Sequence, residues 1–432
     1  MAGCELRGFQ YTAHMPTTEK APLNGLRDWR TPLVVLWSGA LVLLISLGLR
    51  HAFGLFLQPM SIDNGWGREV FALSIAIQNI VWGLAQPFVG AISDKKGAGR
   101  VIFVGALLYG AGLYWMAQAS SPMDLYLSAG LLIGLGLAGT TFPVVFGVIS
   151  RSVSPEKRSA ALGLSAAIGS FGQFAMLPGA LHLIDGSGWS TALVVMSVST
   201  LAMLPFALAL VERRPGSNTN HPIPTGQALS SKEALLQAFG HRGFWLLAFG
   251  FFVCGFHVIF IATHIPAYLV DAGLSASVGT TVLALLGLFN IAGSYFAGLW
   301  GGVYSKPRLL VFIYLARSVV IAAFVFLPLT EISAYAFGIC MGLLWLSTVP
   351  LTNGVVASIF GVANMSMVGG IVFFFHQVGA FLGGWLGGRL FDLTGSYESV
   401  WLISIALGLV AAALNFPIQE KPAHIMRQPA PS

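Results

Sequence analysis

The stretch TPLVVLWSGALVLLISLGL, residues 31–49, runs for 19 residues without a charged side chain. Two further stretches, VIFVGALLYGAGLYWMAQA at 101–119 and LLVFIYLARSVVIAAFVFLPL at 309–329, contain a single charge between them. An α-helix needs about 20 apolar residues to cross the hydrocarbon layer of a bilayer. Only 9% of the 432 residues are charged, whereas a soluble domain has about 25%. The sequence therefore predicts an all-α membrane protein.

Apolar stretches of this kind recur along the chain, separated by short polar segments. Their boundaries predict twelve transmembrane helices, which we number span one to span twelve: 31–57, 68–92, 100–119, 122–149, 158–183, 189–211, 243–270, 276–303, 308–328, 331–357, 365–390 and 397–416. An even number of spans places both termini on the same side of the membrane.

The basic residues test this arrangement. With the N-terminus in the cytoplasm, 18 of the 22 Lys and Arg residues fall on the cytoplasmic side. Only Arg68 and Arg389 fall on the other side, and Arg50 and Arg317 lie inside spans. Cytoplasmic loops are enriched in Lys and Arg. We therefore expect both termini in the cytoplasm and the protein in a cell membrane, the inner membrane of a bacterium being favoured. The basic residues serve topology, so the formal charge of +6 does not indicate nucleic-acid binding.

The long polar stretch between spans six and seven divides the chain into two similar parts. It reads ERRPGSNTNHPIPTGQALSSKE and has the composition of a linker,. The expected organisation is a cytoplasmic tail 1–30, a six-helix half 31–211, a cytoplasmic linker 212–242, a second six-helix half 243–416 and a cytoplasmic tail 417–432. Carriers built from repeats around a midplane site have this pattern.

A charged motif occupies the loop between spans two and three. GAISDKKGAGR, residues 90–100, has the form G-x-x-x-D-x-x-G-x-x-R. Gly90 permits close helix packing and Gly97 permits a tight turn. We expect Asp94 and Arg100 to pair in one conformation and separate in another, which would make the loop a conformational latch. The alternative is a charged loop that serves topology alone.

With this motif in this loop of a twelve-span chain, the sequence resembles the major facilitator superfamily over about residues 31–417. FGLFLQPMSIDNGWGRE after span one, RSVSPEKRSAALGLSAAIGSFGQ entering span five and FLGGWLGGRLFDLTGSYESVW joining spans eleven and twelve resemble the branch of monocarboxylate and oxalate–formate carriers. The resemblance implies the major facilitator fold and solute transport by alternating access.

The sequence departs from these relatives in three places. The corresponding loop of the second half, GLWGGVYSKPR, keeps Gly298, Gly301 and Arg308 but has no acid, since Ser305 stands near the expected place. Span eight lacks the Asp–Arg pair of the animal monocarboxylate carriers, which argues against lactate–proton symport of their kind. Where the oxalate–formate type has a span-eleven lysine, this chain has FFFHQVG with His376.

Arg50 is the strongest candidate for substrate binding. It lies about 25 Å into span one at 1.5 Å per residue, and all 16 acids fall at loops or span ends. An anionic substrate would supply the missing charge, because a guanidinium binds a carboxylate through two parallel hydrogen bonds. The alternatives are snorkelling to the outer interface and bonding to helix carbonyls. Arg317 in span nine also lacks an acid, and for it a structural bond to carbonyls is the favoured interpretation.

Other polar residues inside the spans complete the candidate site. Histidine is the intramembrane group that titrates near neutral pH, so a coupling proton would be carried by one of four histidines: His51, His257, His264 or His376. A neutral, hydrogen-bonded histidine is the alternative for each. The uncharged candidates either face substrate or bond across helices; they are Gln78 and Asn79 in span two, Gln173 in span five, Asn290 in span eight and Gln377 in span eleven.

These features predict a secondary or facilitated transporter of a small organic anion, a mono- or dicarboxylate. The alternative is a carrier of a drug-like or vitamin-like aromatic compound with the same fold. No P-loop, H-E-x-x-H or nucleophile pattern is present, so we expect neither an enzyme nor an ATP-driven pump, and no cofactor or metal. The expected partners are the bilayer, a small-molecule substrate and either a coupling proton or a counter-anion, with the chain acting as a monomer.

Overall fold

The computed structural model describes residues 30–66, 68–212 and 229–423. The predicted N-terminal tail, most of the linker and the end of the C-terminal tail lie outside these residues. All the regular secondary structure in the described residues is helical, which confirms the predicted fold class.

The helices agree with the predicted spans to within a few residues. Spans one to three are Pro32–His51 with a 3₁₀ turn Ala52–Phe56, Arg68–Lys96 and Ala98–Ala117. Span four consists of Pro122–Leu125, a π-helical segment Tyr126–Leu132, Ile133–Thr140 and Phe142–Ser152. Spans five and six are formed by Pro155–Thr200 followed by Met203–Ala209. Two short helices lie outside the spans, Leu57–Asn64 and Ser231–Phe239.

The last six spans are, in chain order, Arg242–Asp271 (seven), Ala276–Val303 (eight), Lys306–Phe326 (nine), Glu331–Leu344 and Thr348–Phe360 (ten), Met365–Thr394 (eleven) and Glu398–Asn415 (twelve).

Spans five and six are joined without a loop. The helical segment Pro155–Ala209 is 55 residues long, or about 80 Å at 1.5 Å per residue, which is too long for one crossing of a bilayer. Gly188 lies within it at φ 81° and ψ 160°, a conformation open to glycine because it lacks a Cβ atom. The chain turns there, so the eleven apolar helical segments of the described residues make twelve crossings.

Span ten is broken, and Arg317 of span nine compensates for the break. The helix stops at Leu344 and resumes at Thr348, so carbonyl groups near the break lose their helical partners. The Arg317 guanidinium is fully buried and donates to the Leu344 carbonyl from Nε at 3.1 Å and from Nη2 at 2.6 Å, and also to the Trp345 carbonyl. This is the structural role that the sequence favoured for Arg317.

Both ends of the described chain lie at one end of the bundle, which we call the terminal end. Arg30 donates to the carbonyl of Ala209 at the end of span six. The amide of Ala423 donates to the carbonyl of Ile359 in span ten, and Asn364, just before span eleven, binds the carbonyl of Leu229. The loop motif of residues 90–100 lies at this same end, because Asp94 contacts the start of span eleven.

Candidate functional site

Arg50 lies at the end of the span-one helix, just before the 3₁₀ turn, and its side chain is partly buried. Its Nη2 donates to Oδ1 of Asn79 in span two at 3.4 Å, and its Cζ lies 5.6 Å from the centre of the Phe53 ring. Its Nε is buried without a hydrogen-bond partner among the described residues. None of the described carboxylates forms an ion pair with it. The guanidinium therefore retains the capacity to bind an anion.

A row of hydrogen bonds extends from Arg50 into the second half of the chain. Nε2 of Gln377 in span eleven donates to Oδ1 and to the carbonyl of Asn79, at 3.5 Å in each case. Oε1 of Gln377 lies 3.2 Å from Nδ1 of His376. Arg50, Asn79, Gln377 and His376 are thus four predicted site residues that the structure brings together, from spans one, two and eleven. We call them the Arg50 cluster.

Two other predicted amides are engaged elsewhere. Gln78 is buried and donates to the carbonyl of Ala129 in span four, so its amide group connects two helices of the first half. Asn290 is buried between the halves, where it donates to the Ser170 hydroxyl at 2.9 Å and accepts from the Leu346 amide. Gln173 of span five is partly buried. The side chains of Gln78 and Asn290 therefore serve contacts between helices rather than contact with a substrate.

The remaining histidines lie apart from the Arg50 cluster. His257 is fully buried and hydrogen bonds the carbonyl of Ser404 in span twelve at 2.8 Å. His264 lies between the carbonyl of Gly384 and the hydroxyl of Tyr397. His51 follows Arg50 directly but its side chain is exposed. Of the four, His376 is the one that hydrogen bonds a member of the Arg50 cluster.

The loop motif forms a buried ion-pair network at the terminal end. Oδ1 of Asp94 accepts from the Arg151 guanidinium at 2.8 Å, and Arg151 also pairs with Glu212 at 3.1 Å. The same carboxylate accepts from the backbone amides of Ser366 and Met367 at the start of span eleven. A helix N-terminus favours a negative charge, because its amides lack helical partners. The network therefore connects spans two, four and six to span eleven.

In the structure, Asp94 has a different ion-pair partner from the one that the sequence suggested. Asp94 pairs with Arg151, whereas the sequence suggested Arg100, whose side chain is exposed. The two glycines behave as expected: a Cβ at Gly90 would collide with the Ser366 carbonyl, and Gly97 has φ 91°. Sequence reasoning missed Arg151 and Glu212. The available signal was that both are charged residues at span ends on the predicted side of Asp94.

The two halves are packed together at the terminal end. A Cβ at Gly370 would lie 2.9 Å from the Gln86 carbonyl, and one at Gly83 would lie 2.9 Å from the Gln377 Cβ, so spans two and eleven are in contact as far as the Arg50 cluster. Spans five and eight are in contact from Gly163 and Gly298 as far as Ser170 and Asn290.

The same interface separates towards the opposite end of the bundle. Gly287 lies on the face of span eight that carries Ser294 and Gly298, yet it has no neighbour within 4 Å. Phe174 and Leu181 continue the packed face of span five and are 39% and 47% exposed. The two halves are therefore in contact at the terminal end, and spans five and eight are apart beyond Ser170 and Asn290.

This arrangement defines a multi-pass membrane protein with a polar cluster between two sets of helices, the architecture of a transporter. Residues 36–384 match the Major Facilitator Superfamily. The chain belongs to this superfamily, and it is a transporter with the major facilitator fold.

Curated relatives and solved structures agree with this assignment. The chain is 28% identical to Monocarboxylate transporter 11 of Mus musculus over 83% of this chain and 81% of that one, and 26% identical to Monocarboxylate transporter 13 of Rattus norvegicus over 91% and 89%. A structure of a variant of the Escherichia coli fucose:proton symporter FucP superposes with a TM-score of 0.70 at 14% identity, covering 90% of this chain and 98% of that one.

Proposed function

We propose that this protein carries a small organic anion, a mono- or dicarboxylate, across the membrane by alternating access. The observation that carries the proposal is the Arg50 cluster: a permanent cation lies between the two halves, beside amide groups and without a described carboxylate partner. The relatives named as monocarboxylate transporters support the same class of substrate.

The chemistry of the cluster suits a carboxylate. Guanidinium and carboxylate form short, charge-assisted hydrogen bonds, often two in parallel. Nε of Arg50 has no described partner, and Nη2 has a long bond of 3.4 Å to Asn79 that a stronger acceptor would replace. The amide groups of Asn79 and Gln377 would then bind further oxygens of the substrate. One bound anion would contact spans one, two and eleven together.

The cost of placing an arginine in a membrane span also supports a binding role for Arg50. An arginine at the centre of a span costs about 2.5–3.5 kcal/mol on insertion scales. Arg317 offsets this cost with three hydrogen bonds to the carbonyls of Leu344 and Trp345. Arg50 has one long hydrogen bond and a ring contact. A substrate anion would complete its coordination, so we assign the binding charge to Arg50.

We further propose that residues 31–211 and 243–416 are the moving halves. With both termini in the cytoplasm, the described state opens away from the cytoplasm, and the Asp94 network holds its cytoplasmic end closed. Transport requires this network to break and the opposite end to close around the substrate. If a proton is coupled to the anion, His376 is the site that we assign to it, because it contacts Gln377.

Uptake of a carboxylate panel into proteoliposomes tests the proposal. Wild type should transport at least one member, Arg50→Lys should retain part of the rate, and Arg50→Gln should lose it. Arg242→Gln is the matched control, because Arg242 is an exposed arginine at the start of span seven. Normal uptake of every transported carboxylate by folded Arg50→Gln would refute the assignment, and a panel of aromatic compounds run in parallel tests the alternative substrate class.

A further inference from the structure

The two halves repeat the loop motif, but the second copy lacks its acid. Aligned without gaps, Gly90, Asp94, Gly97 and Arg100 correspond to Gly298, Gly302, Ser305 and Arg308. Gly302, not Ser305, therefore stands at the position of Asp94. The structural contacts agree: Gly90 packs against the first turn of span eleven, and Gly298 packs against span five at Gly163 and the Ser159 carbonyl.

The rest of the ion-pair network has counterparts in the second half. Glu212 follows span six and pairs with Arg151, while Glu420 follows span twelve and pairs with Lys306 at 2.9 Å. Ser358 corresponds to Arg151, because Ser358 lies four residues after Gly354 and Arg151 lies four residues after Gly147. The Lys306 ammonium reaches this place, since its Nζ lies 3.5 Å from the Ser358 hydroxyl. The second half therefore has the cation Lys306 and the carboxylate of Glu420, the counterpart of Glu212. It has no carboxylate at the position of Asp94.

A small polar cavity lies where that carboxylate would be. It has a volume of about 70 Å³ and lies between the two halves, with Arg158 and Ser159 of span five on one side and Gly302, Lys306 and Ser358 on the other. Ser159 is 3% exposed, and its hydroxyl has no hydrogen-bond partner among the described residues. One water occupies about 30 Å³ in the liquid, so the cavity has room for a small oxyanion.

We propose that this cavity binds a phosphate group, which completes the second network in place of the missing acid. Its oxygens would accept from the Lys306 ammonium, the Arg158 guanidinium and the Ser159 hydroxyl, at the first turn of the span-five helix. Cations and a helix N-terminus together favour such a ligand. Because the group would join span five to span nine, it stabilises the state that is closed at the terminal end. Free phosphate and a phospholipid headgroup share this chemistry.

The experiment measures thermal unfolding of the purified protein in detergent while inorganic phosphate replaces chloride at constant ionic strength. The midpoint of wild type should rise with phosphate and saturate. Gly302→Asp places a carboxylate at the Asp94 position, where a Cβ has its nearest neighbours 3.9 Å away and fits without a clash. This variant should be more stable than wild type without phosphate, and its half-saturating phosphate concentration should rise at least about tenfold, as expected when a charged hydrogen-bond partner is already satisfied.

Gly302→Asn is the matched control, because it adds a side chain of the same shape without the charge and should keep a phosphate response. The source of the group is tested in a second arm without free phosphate, in which the wild type in detergent is supplemented with phosphatidylglycerol or with diacylglycerol, a lipid that lacks a phosphate. Stabilisation by phosphatidylglycerol and not by diacylglycerol would identify a phospholipid headgroup as the source. An unchanged midpoint of wild type in both arms would overturn the proposal, as would equal phosphate responses of Gly302→Asp and Gly302→Asn. These outcomes do not depend on which compound is transported.

Discussion

Two arginines lie within the spans, and their surroundings assign them different roles. Arg317 is fully buried and bound to backbone carbonyls of one helix break. Arg50 is partly buried, contacts one amide oxygen at 3.4 Å and faces the junction of the halves. The same side chain is thus a structural brace in span nine and a candidate ligand site in span one. Replacing Arg317 should therefore reduce stability, whereas changes at Arg50 should affect substrate binding.

Replacing Arg317 should damage the fold. Arg317→Gln leaves the buried carbonyls of Leu344 and Trp345 short of donors, and each unsatisfied buried group costs about 1–3 kcal/mol. We expect a marked fall in the thermal unfolding midpoint and in the yield of monodisperse protein. Arg100→Gln, which removes an exposed arginine, should leave both unchanged. A midpoint for Arg317→Gln equal to that of wild type would show that the carbonyl bonds contribute nothing.

Replacing Asn79 tests the charge that Arg50 offers to substrate. Asn79→Asp is nearly isosteric and places a carboxylate next to the guanidinium, where Oδ1 now lies at 3.4 Å. This internal carboxylate would compete with the substrate, so the KM for a transported carboxylate should rise at least about tenfold, given that charge-assisted bonds are about twice as strong as neutral ones. Asn79→Ser removes the amide without adding charge and should have the smaller effect. Equal KM values for the two variants would contradict the role of Arg50.

Among the helices, one carboxylate links the end of span two to the start of span eleven. Asp94 accepts from Arg151 and from the Ser366 and Met367 amides. Asp94→Asn removes the charge from these bonds, and hydrogen bonds to charged groups contribute about 1.5–3 kcal/mol each. We expect the ratio of closed to open terminal ends to fall about tenfold or more, measured as the distance distribution between spin labels on spans two and eleven.

Two further arginine variants are the positive and the negative control for that measurement. Arg151→Gln should open the terminal end as Asp94→Asn does, because it removes the partner of the same carboxylate. Arg100→Gln should not, because the Arg100 side chain is exposed. A larger effect from Arg100 than from Arg151 would restore the pairing that the sequence suggested and would contradict the observed network.

The sequence was sufficient to predict the spans but not their tertiary partners. A bilayer sets the length of a crossing helix, so apolar stretches alone place ends such as Ala117 and Asn415 to within two residues. The partner of Asp94 depends instead on how spans two, four and six meet, and Arg151 lies 57 residues away. The break after Leu344 has a signal in Ser347 and Pro350, since a proline cannot donate to the carbonyl four residues earlier,. The donor that compensates for the break was hidden, because Arg317 lies 27 residues before Leu344. The glycine at the turn between spans five and six was visible, but its positive φ was not.

The two halves of the molecule contact each other through small residues. A Cβ at Gly163 would collide with Gly298, and a Cβ at Gly370 would lie 2.9 Å from the carbonyl of Gln86. Small residues let helices approach closely, and they leave few interlocked side chains to resist separation. The polar links across the interface include Asp94 with the start of span eleven, Arg151 with the Val362 carbonyl, Asn290 with Ser170, and Gln377 with Asn79. Hydrogen bonds of this kind can form and break, as the proposed alternating access requires.

A disulfide across this interface should stop transport. The Cβ of Ser159 lies 3.9 Å from the position that a Cβ would take at Gly302, within the 3.5–4.5 Å that a disulfide requires. In a background with the native cysteines replaced, Ser159→Cys with Gly302→Cys should form the bond on oxidation and hold the terminal end closed. Alternating access needs this end to open, so uptake should fall to the level of empty liposomes and return on reduction. The single variants should transport under both conditions. A fully oxidised double variant that still transports would mean that the halves do not separate here, and that the substrate crosses by another route.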